Sequence, residues 1–297
     1  MTAEHHQRVI DAYTVCTDLG GRTLVVPAGP ASPGAWTLPG AQVRHGEHPV
    51  TTALRATAAQ TGRQADLVRV RDVVAEVIGS GAAVHHDRVL FDATVSGDPT
   101  GPARWMSPDD LTDVPLPAFV AATLGVSAQP LPVAASRPSP GTADGPRRRQ
   151  RFAAYALVTD PADRVLLTRI AVGFPGAGRW HLPGGGTDFG EAPVVGVLRE
   201  LYEESGQHGR VVGVLGISHR RNPAALGPEG HPIDWHAVRV VYRVQVEAPT
   251  PPTVTETAGS TADAAWFDID GLAGLAVTEV VGEATRALHS GMAAIRL

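Results

Sequence analysis

The stretch Leu182–Gly206, LPGGGTDFGEAPVVGVLRELYEESG, decides how this chain reads. Three glycines, Gly184 to Gly186, open it, and a run with helical spacing closes it. Pro193 falls in the first turn of the expected helix, Ala192 to Ser205, where a missing N–H costs little. At about 100° per residue, Glu200, Glu203 and Glu204 fall within an arc of about 100°. Val194, Leu198, Leu201 and Tyr202 lie toward the other side and are expected to face a core. Carboxylates crowded on one face repel by about a few tenths of a kcal/mol per i,i+4 pair, and only Arg199 offers local relief. A hard divalent cation reverses the sign of that interaction, because Mg²⁺ prefers oxygen ligands. A solvated acidic face is the commoner meaning of such a pattern. The glycines argue against it here, since backbone without Cβ can approach a ligand and lend a carbonyl to a metal shell.

With those residues in view, the segment resembles the box of the Nudix hydrolase family. That box reads G, five residues, E, seven residues, then R-E-U-x-E-E-x-G-U, with U bulky and apolar. Gly185, Glu191, Arg199, Glu200, Leu201, Glu203, Glu204 and Gly206 fall in register, and Gln207 departs at the last position, which bears on packing at the helix end. The resemblance implies an α/β/α sandwich that hydrolyses a nucleoside diphosphate linked to another group. It implies Mg²⁺ or Mn²⁺ held by Glu200, Glu203 and Glu204, with a backbone carbonyl from Gly184 or Gly185. One of these three glutamates would double as base, with Glu200, Glu203 and Arg199 as the catalytic residues, and Arg199 would pair with Glu203 or Glu191 and orient it. Glu256 and Asp263 are the candidates for a further acidic ligand from outside the box.

Working outward, the chain repeats itself. Tyr13–Asp18 matches Tyr155–Asp160, and from Trp36 to Gly62 an offset of 144 holds without a gap, with 11 of 27 positions identical to Trp180–Gly206. That register indicates duplication. Between the copies, Ser127–Gln150 is rich in Pro, Ser, Ala and Gly and has no hydrophobic periodicity, so it reads as a linker. The expected organisation is a degenerate domain over 1–126, a linker over 127–150 and a catalytic domain over 151–297. Strands interleaved with two helices imply an α/β sandwich in each copy, which the resemblance makes an α/β/α sandwich with a mixed sheet. In the second, strands are expected over Ala153–Val158, Arg164–Arg169, Gly209–Ile217, Val238–Glu247 and Ala264–Asp268, with a last helix near Thr278–His289.

The first copy keeps Glu47, Leu54, Arg55 and Gly62. It carries Ala41 for Gly185, Ala56 for Glu200, Ala59 for Glu203 and Gln60 for Glu204, so its metal face is gone. His45, His85, His86 and Arg88 are its suggestive polar residues, and a packing or dimerisation role is the reading favoured over ligand binding. In the second copy, Ser218–His236 reads as a specificity loop. Arg220 and Arg221 suit a phosphate there, while Trp235 can stack and His236 can bond to a ligand. His219, His231 and His236 are too loosely spaced, and without cysteine support, to point to zinc.

Composition narrows the partners. A formal net charge of −5 gives no general pull toward nucleic acid. No apolar run approaches the ~20 residues of a membrane span, and Met1–Arg8 lacks signal-peptide order. The single cysteine, Cys16, fits a reducing cytoplasm and reads as a buried strand thiol. The expected partner is a small-molecule diphosphate, nucleotide-derived, with neither nucleic acid nor membrane, and a homodimer left open. A nucleoside triphosphate, ADP-ribose, a nucleotide sugar and a non-nucleotide diphosphate fit the box equally. A ligand sensor without turnover is the alternative, and the intact glutamates weigh against it.

Overall fold

The computed structural model describes residues 7–79, 83–127, 129–131, 147–227, 230–256 and 259–290. The chain forms two compact units. The first is Met1–Gln150 with Arg220–His236, and the second is Arg151–His219 with Ala237–Leu297.

The first unit runs β1 (Gln7–Cys16), β2 (Thr23–Pro27), β3 (Trp36–Thr37), β4 (Gly40–Gln42), α1 (Pro49–Thr61), β5 (Ala65–Ile78), β6 (Val84–Val95), β7 (Arg104–Met106), α2 (Pro108–Thr112), β8 (Pro115–Leu116), α3 (Ala118–Leu124) and β9 (Gln129–Pro130). Its main sheet has the order β4-β1-β6-β5, and β1 is antiparallel to β4 but parallel to β6, so the sheet is mixed. Successive strand residues point to opposite faces. Thr14 of β1 hydrogen-bonds Thr57 of α1, and its neighbour Tyr13 packs on Phe119 of α3, with ring centres 4.9 Å apart. Helices therefore flank both faces.

The second set runs β10 (Arg147–Thr159), β11 (Arg164–Ile170), β12 (Trp180–His181), β13 (Gly184–Gly186), α4 (Pro193–Ser205), β14 (Arg210–Leu226), β15 (Pro232–Gln245), β16 (Thr261–Asp268), a 3-10 turn over Ile269–Gly274 and α5 (Glu279–Ser290). The sheet order is β12-β11-β10-β15-β14, with β13 added on β10 and β16 on β11. Leu157, Val165, Leu167 and Val241 form one buried cluster with Val280, Val281 and Ala284 of α5. Ala154, Ala156 and Val158 point the other way and are also buried, so neither face of β10 is wet.

Three expectations change. Residues 128 and 132–146 of the expected linker lie outside the described residues, and its end, Arg147 to Gln150, is already strand β10. Ser218–His236 is no irregular loop. It continues β14 and begins β15, because Ile217-Ser218-His219 and Asp234-Trp235-His236 extend the ladder on both sides of the turn. By its contacts Arg220–His236 groups with the first unit, whereas the expected catalytic domain runs unbroken over 151–297. Among the described residues no helix is long and apolar enough to cross a membrane.

Candidate active site

Helix α4 starts after Ala192 without a side-chain cap and ends at Gly206, whose φ of 68° is a left-handed conformation that glycine takes without Cβ strain. The core-facing residues are Val197 and Leu201. Val194 and Tyr202, expected inside, are exposed, while Leu198 is half-buried. The inward stripe is rotated toward Glu204, which is only 3% exposed. That residue belongs to the carboxylate face, and the sequence offered no reason for it to turn in.

The reason is β13. Gly184 N–H donates to Glu204 Oε2 at 2.8 Å, and Thr261 of β16 donates its hydroxyl to Oε1 at 2.5 Å. Burial pushes the Glu204 carboxyl up to about 7; the two hydrogen bonds oppose this, and the charges of Glu200 and Glu256 add to it. Gly184 itself has φ of 135°, and β13 pairs with β10 so that Tyr155 faces Gly184 and Ala154 faces Gly185. A Cβ added at Gly185 would stand 2.7 Å from Glu200 Oε1, so only glycine lets the backbone pass this close to the carboxylate.

The remaining acids gather on Arg199. Its Nε and Nη2 hold Glu191 in a fork at 2.9 and 3.1 Å, and its Nη1 reaches Glu203 at 2.9 Å and Glu200 at 3.2 Å. Arg199 thus orients both Glu191 and Glu203, where the sequence left a choice between them. Glu191 also accepts from Asp188 N–H, which closes the loop before the helix. Glu200 is mostly buried and its pKa is raised, first by that burial, with Arg199 opposing and Glu203 and Glu256 adding. Glu203 is the open member, with 38% of its side chain exposed.

The polar departure Gln207 does not loosen the helix end. It is buried, and its amide exchanges hydrogen bonds with Thr250: Nε2 donates to Thr250 Oγ1 at 2.9 Å and Oε1 accepts from Thr250 N–H at 3.0 Å. The following segment then caps α4, since Thr253, Thr255 and Glu256 donate backbone N–H groups to Ser205 and Glu203 carbonyls. This brings Glu256 within electrostatic reach of Glu200 and Glu204. Asp263, the other candidate, is instead half-exposed and paired with Arg169 at 3.2 Å.

Among the described residues, the groups here that could hold a cation are oxygens: the three box carboxylates, Glu256, and the backbone of Gly184 and Gly185. That chemistry suits Mg²⁺ or Mn²⁺ and not a soft metal. Among the described residues no three His, Cys, Asp or Glu side chains converge as a ready metal shell. Arg199 accounts for this by drawing Glu200 and Glu203 to itself while Glu204 is tied to β13.

Of the residues expected to recognise substrate, Arg220, Arg221, Trp235 and His236 all fall in the first unit. Arg221 is committed to Asp234 through bonds of 2.9 and 2.7 Å, which hold the Asp234 carboxyl far below its usual range, and His45 Nε2 adds a contact at 3.1 Å. His236 Nδ1 accepts from Gly46 N–H at 3.1 Å. Arg220 is exposed and Trp235 half-buried. A pair of long strands carries these side chains into that unit's structure, which no loop reading could foresee.

At the matching place in the first unit, Arg55 still forks onto Glu47 at 2.9 and 3.0 Å. Gln60 takes the position of Glu204. Its Oε1 accepts from Gly40 N–H and its Nε2 donates to the Gly40 carbonyl, both at 3.0 Å. The amide therefore occupies the carbonyl that its counterpart Gly184 would offer a cation, and Ala56 and Ala59 supply no charge.

Comparison with known proteins agrees with the duplicated geometry. The NUDIX domain family model matches residues 6–124 and again 149–287. None of the curated proteins matches the chain significantly. Similar solved structures include a MutT NUDIX hydrolase from Burkholderia pseudomallei (27% identity, 47% of this chain and 98% of that one, TM-score 0.37). Others are a MutT protein from Methanosarcina mazei Go1 (19% identity, 50% and 99%, TM-score 0.39) and the NUDIX domain of Shewanella oneidensis NrtR in complex with ADP ribose (20% identity, 48% and 88%, TM-score 0.38).

Proposed function

Because the chain belongs to the NUDIX family in both halves, and is thereby a hydrolase of diphosphate bonds, we propose that the second unit carries out the hydrolysis with Mg²⁺ or Mn²⁺ and that the first unit carries out none. The observation that carries this is the contrast at one position of the repeat. Glu204, with Glu200 and Glu203 beside it, faces the Gly184 backbone in one unit, while Gln60 closes on Gly40 between alanines in the other.

Glu200, Glu203 and Glu204 would hold the cation, with a carbonyl from Gly184 or Gly185. When bound, the cation supplies neutralisation of the diphosphate charge and activation of water. The chain's own residues do the rest. Arg199 fixes Glu200 and Glu203 in one orientation and is itself fixed by Glu191. Glu203, the most exposed of the three, would accept the proton from the attacking water. Gly185 keeps the backbone close enough for Glu200 to work beside it.

The substrate class proposed is a small-molecule diphosphate, nucleotide-derived, in a cytoplasmic setting. The setting agrees with Cys16, the single cysteine, which is a buried thiol. The test is a panel of nucleoside triphosphates, ADP-ribose, nucleotide sugars and simple diphosphates with Mg²⁺, with Mn²⁺ and with EDTA, products identified by mass. Full turnover in EDTA sinks the metal-dependent reading.

A further inference from the structure

Arg239 lies on β15 in the second unit, half-buried, with its Cζ 5.8 Å from the centre of the Tyr155 ring. Among the described residues no hydrogen bond or ion pair engages its guanidinium. A half-buried cation without a hydrogen-bonded acid is expensive to keep. The repeat provides an internal comparison. Tyr13 corresponds to Tyr155, and the run Arg88-Val-Leu-Phe91 of β6 corresponds to Arg239-Val-Val-Tyr242 of β15. In the first unit Arg88 is buried, its Nη1 donates to Glu76 at 2.8 Å, and its Cζ sits 4.3 Å over the Phe119 ring. The guanidinium is hydrogen-bonded to an acid in the unit that lost its carboxylates; in the unit that kept them it has no such bond, and Glu283 of α5 acts on it only through its charge.

The place of Arg239 relative to those carboxylates follows from β13. Tyr155 is in register with Gly184, whose N–H binds Glu204, and a Cβ on Gly184 would come within 3.0 Å of Tyr155 Cδ1. Two residues along, Gly186 lies under the guanidinium of Arg151, which a Cβ there would strike. Arg151 is exposed and, like Arg239, is engaged by no acid among the described residues. The Tyr155 hydroxyl feels both groups. Burial raises its pKa, Arg239 and Arg151 lower it, and Glu204 and Glu200 raise it. The adjacent His181, ring centre 4.9 Å from that of Tyr155, is pushed down to about 4 by burial and then by Arg239 and Arg179. It is therefore neutral near pH 7, with Nδ1 held to Thr278 Oγ1 at 2.6 Å. The positive charge beside Tyr155 belongs to the arginines.

We propose that Arg239, assisted by Arg151, forms the anion subsite of the second unit and binds a phosphoryl oxygen of the diphosphate substrate. This rests on the hydrolase reading above and names the residue that recognises the substrate's charge. Guanidinium geometry suits it, since a planar fork meets two phosphate oxygens at once.

The test uses the full chain with saturating Mg²⁺ and inorganic pyrophosphate as the probe, read by calorimetry. Arg239→Gln should weaken pyrophosphate binding about ten- to hundredfold, the worth of a charged hydrogen bond. Mg²⁺ binding without pyrophosphate should stay unchanged, and KM for a hydrolysed substrate should rise more than kcat falls. Arg239→Lys, which keeps the charge and loses the fork, should recover part of the affinity. Unchanged pyrophosphate affinity in a folded Arg239→Gln protein overturns the subsite. Should that variant fail to fold, the Arg239 Nε–H resonance of the wild type must shift on adding pyrophosphate, and no shift overturns the proposal equally. Wild type that neither binds Mg²⁺ nor hydrolyses any diphosphate refutes the hydrolase reading instead, and the subsite with it.

Discussion

Replacing Glu204 by glutamine should make the metal-free protein more stable while removing its chemistry. The carboxyl of Glu204 is almost wholly buried between Gly184 N–H and Thr261, and burial lifts it from its ordinary 4.5 to about 7. A carboxyl whose folded pKa lies above its unfolded one holds its proton more tightly in the native state. Its contribution is therefore complete below about pH 4.5 and is lost as pH rises through 7. That rise corresponds to about 3 kcal/mol forfeited by pH 8. Glutamine carries no such cost. Its oxygen can accept from Gly184 N–H and its amide can donate to the Thr261 hydroxyl, and Gln60 already makes the equivalent clamp on Gly40. Calorimetric unfolding in EDTA should show the variant more stable by about 3 kcal/mol at pH 8 and scarcely different at pH 4.5, with turnover lost when Mg²⁺ is restored. An equal difference at both pH values, or none at pH 8, refutes the account of a buried, reluctantly ionised Glu204.

Other expectations test the site from different sides. Glu203→Gln should cut kcat by at least about a hundredfold, the scale of removing an electrostatic element of the transition state, while melting stays normal because the side chain is part-exposed. Gly185→Ala sets a methyl 2.7 Å from Glu200 Oε1 and should lower kcat by about ten- to a hundredfold with a native circular dichroism spectrum; unchanged kcat would show that the close approach is idle. Gln207→Leu restores the family's apolar residue yet should destabilise by about 2 kcal/mol in urea titrations, since the Thr250 backbone loses its buried partners. Gln60→Glu in the first unit should confer no activity when the second unit is silenced by Glu203→Gln, because Ala56 and Ala59 still supply no ligand. Because Arg220–His236 counts with the first unit, all of these are measured on the whole chain.

Much of this was present in the sequence because it is local. Helical periodicity puts Glu200, Glu203 and Glu204 on one arc and Arg199 a turn from Glu203. The 144-residue register exposes the duplication, and Ala41, Ala56, Ala59 and Gln60 mark which copy has lost its ligands. Only the tertiary structure decided which way each carboxylate turns. Periodicity fixes which side chains share a face, but not which face is buried, and Glu204 goes inward for Gly184 N–H and for Thr261, 57 residues away. The same holds for Gln207, whose polarity is satisfied by Thr250 across 43 residues and which thereby sets Glu256 near the site. It holds also for Arg221 and His236, which long strands carry into the first unit. Arg88 and Arg239 look alike in the sequence, and one makes a close ion pair where the other makes none among the described residues, because an ion pair depends on a partner's position in space.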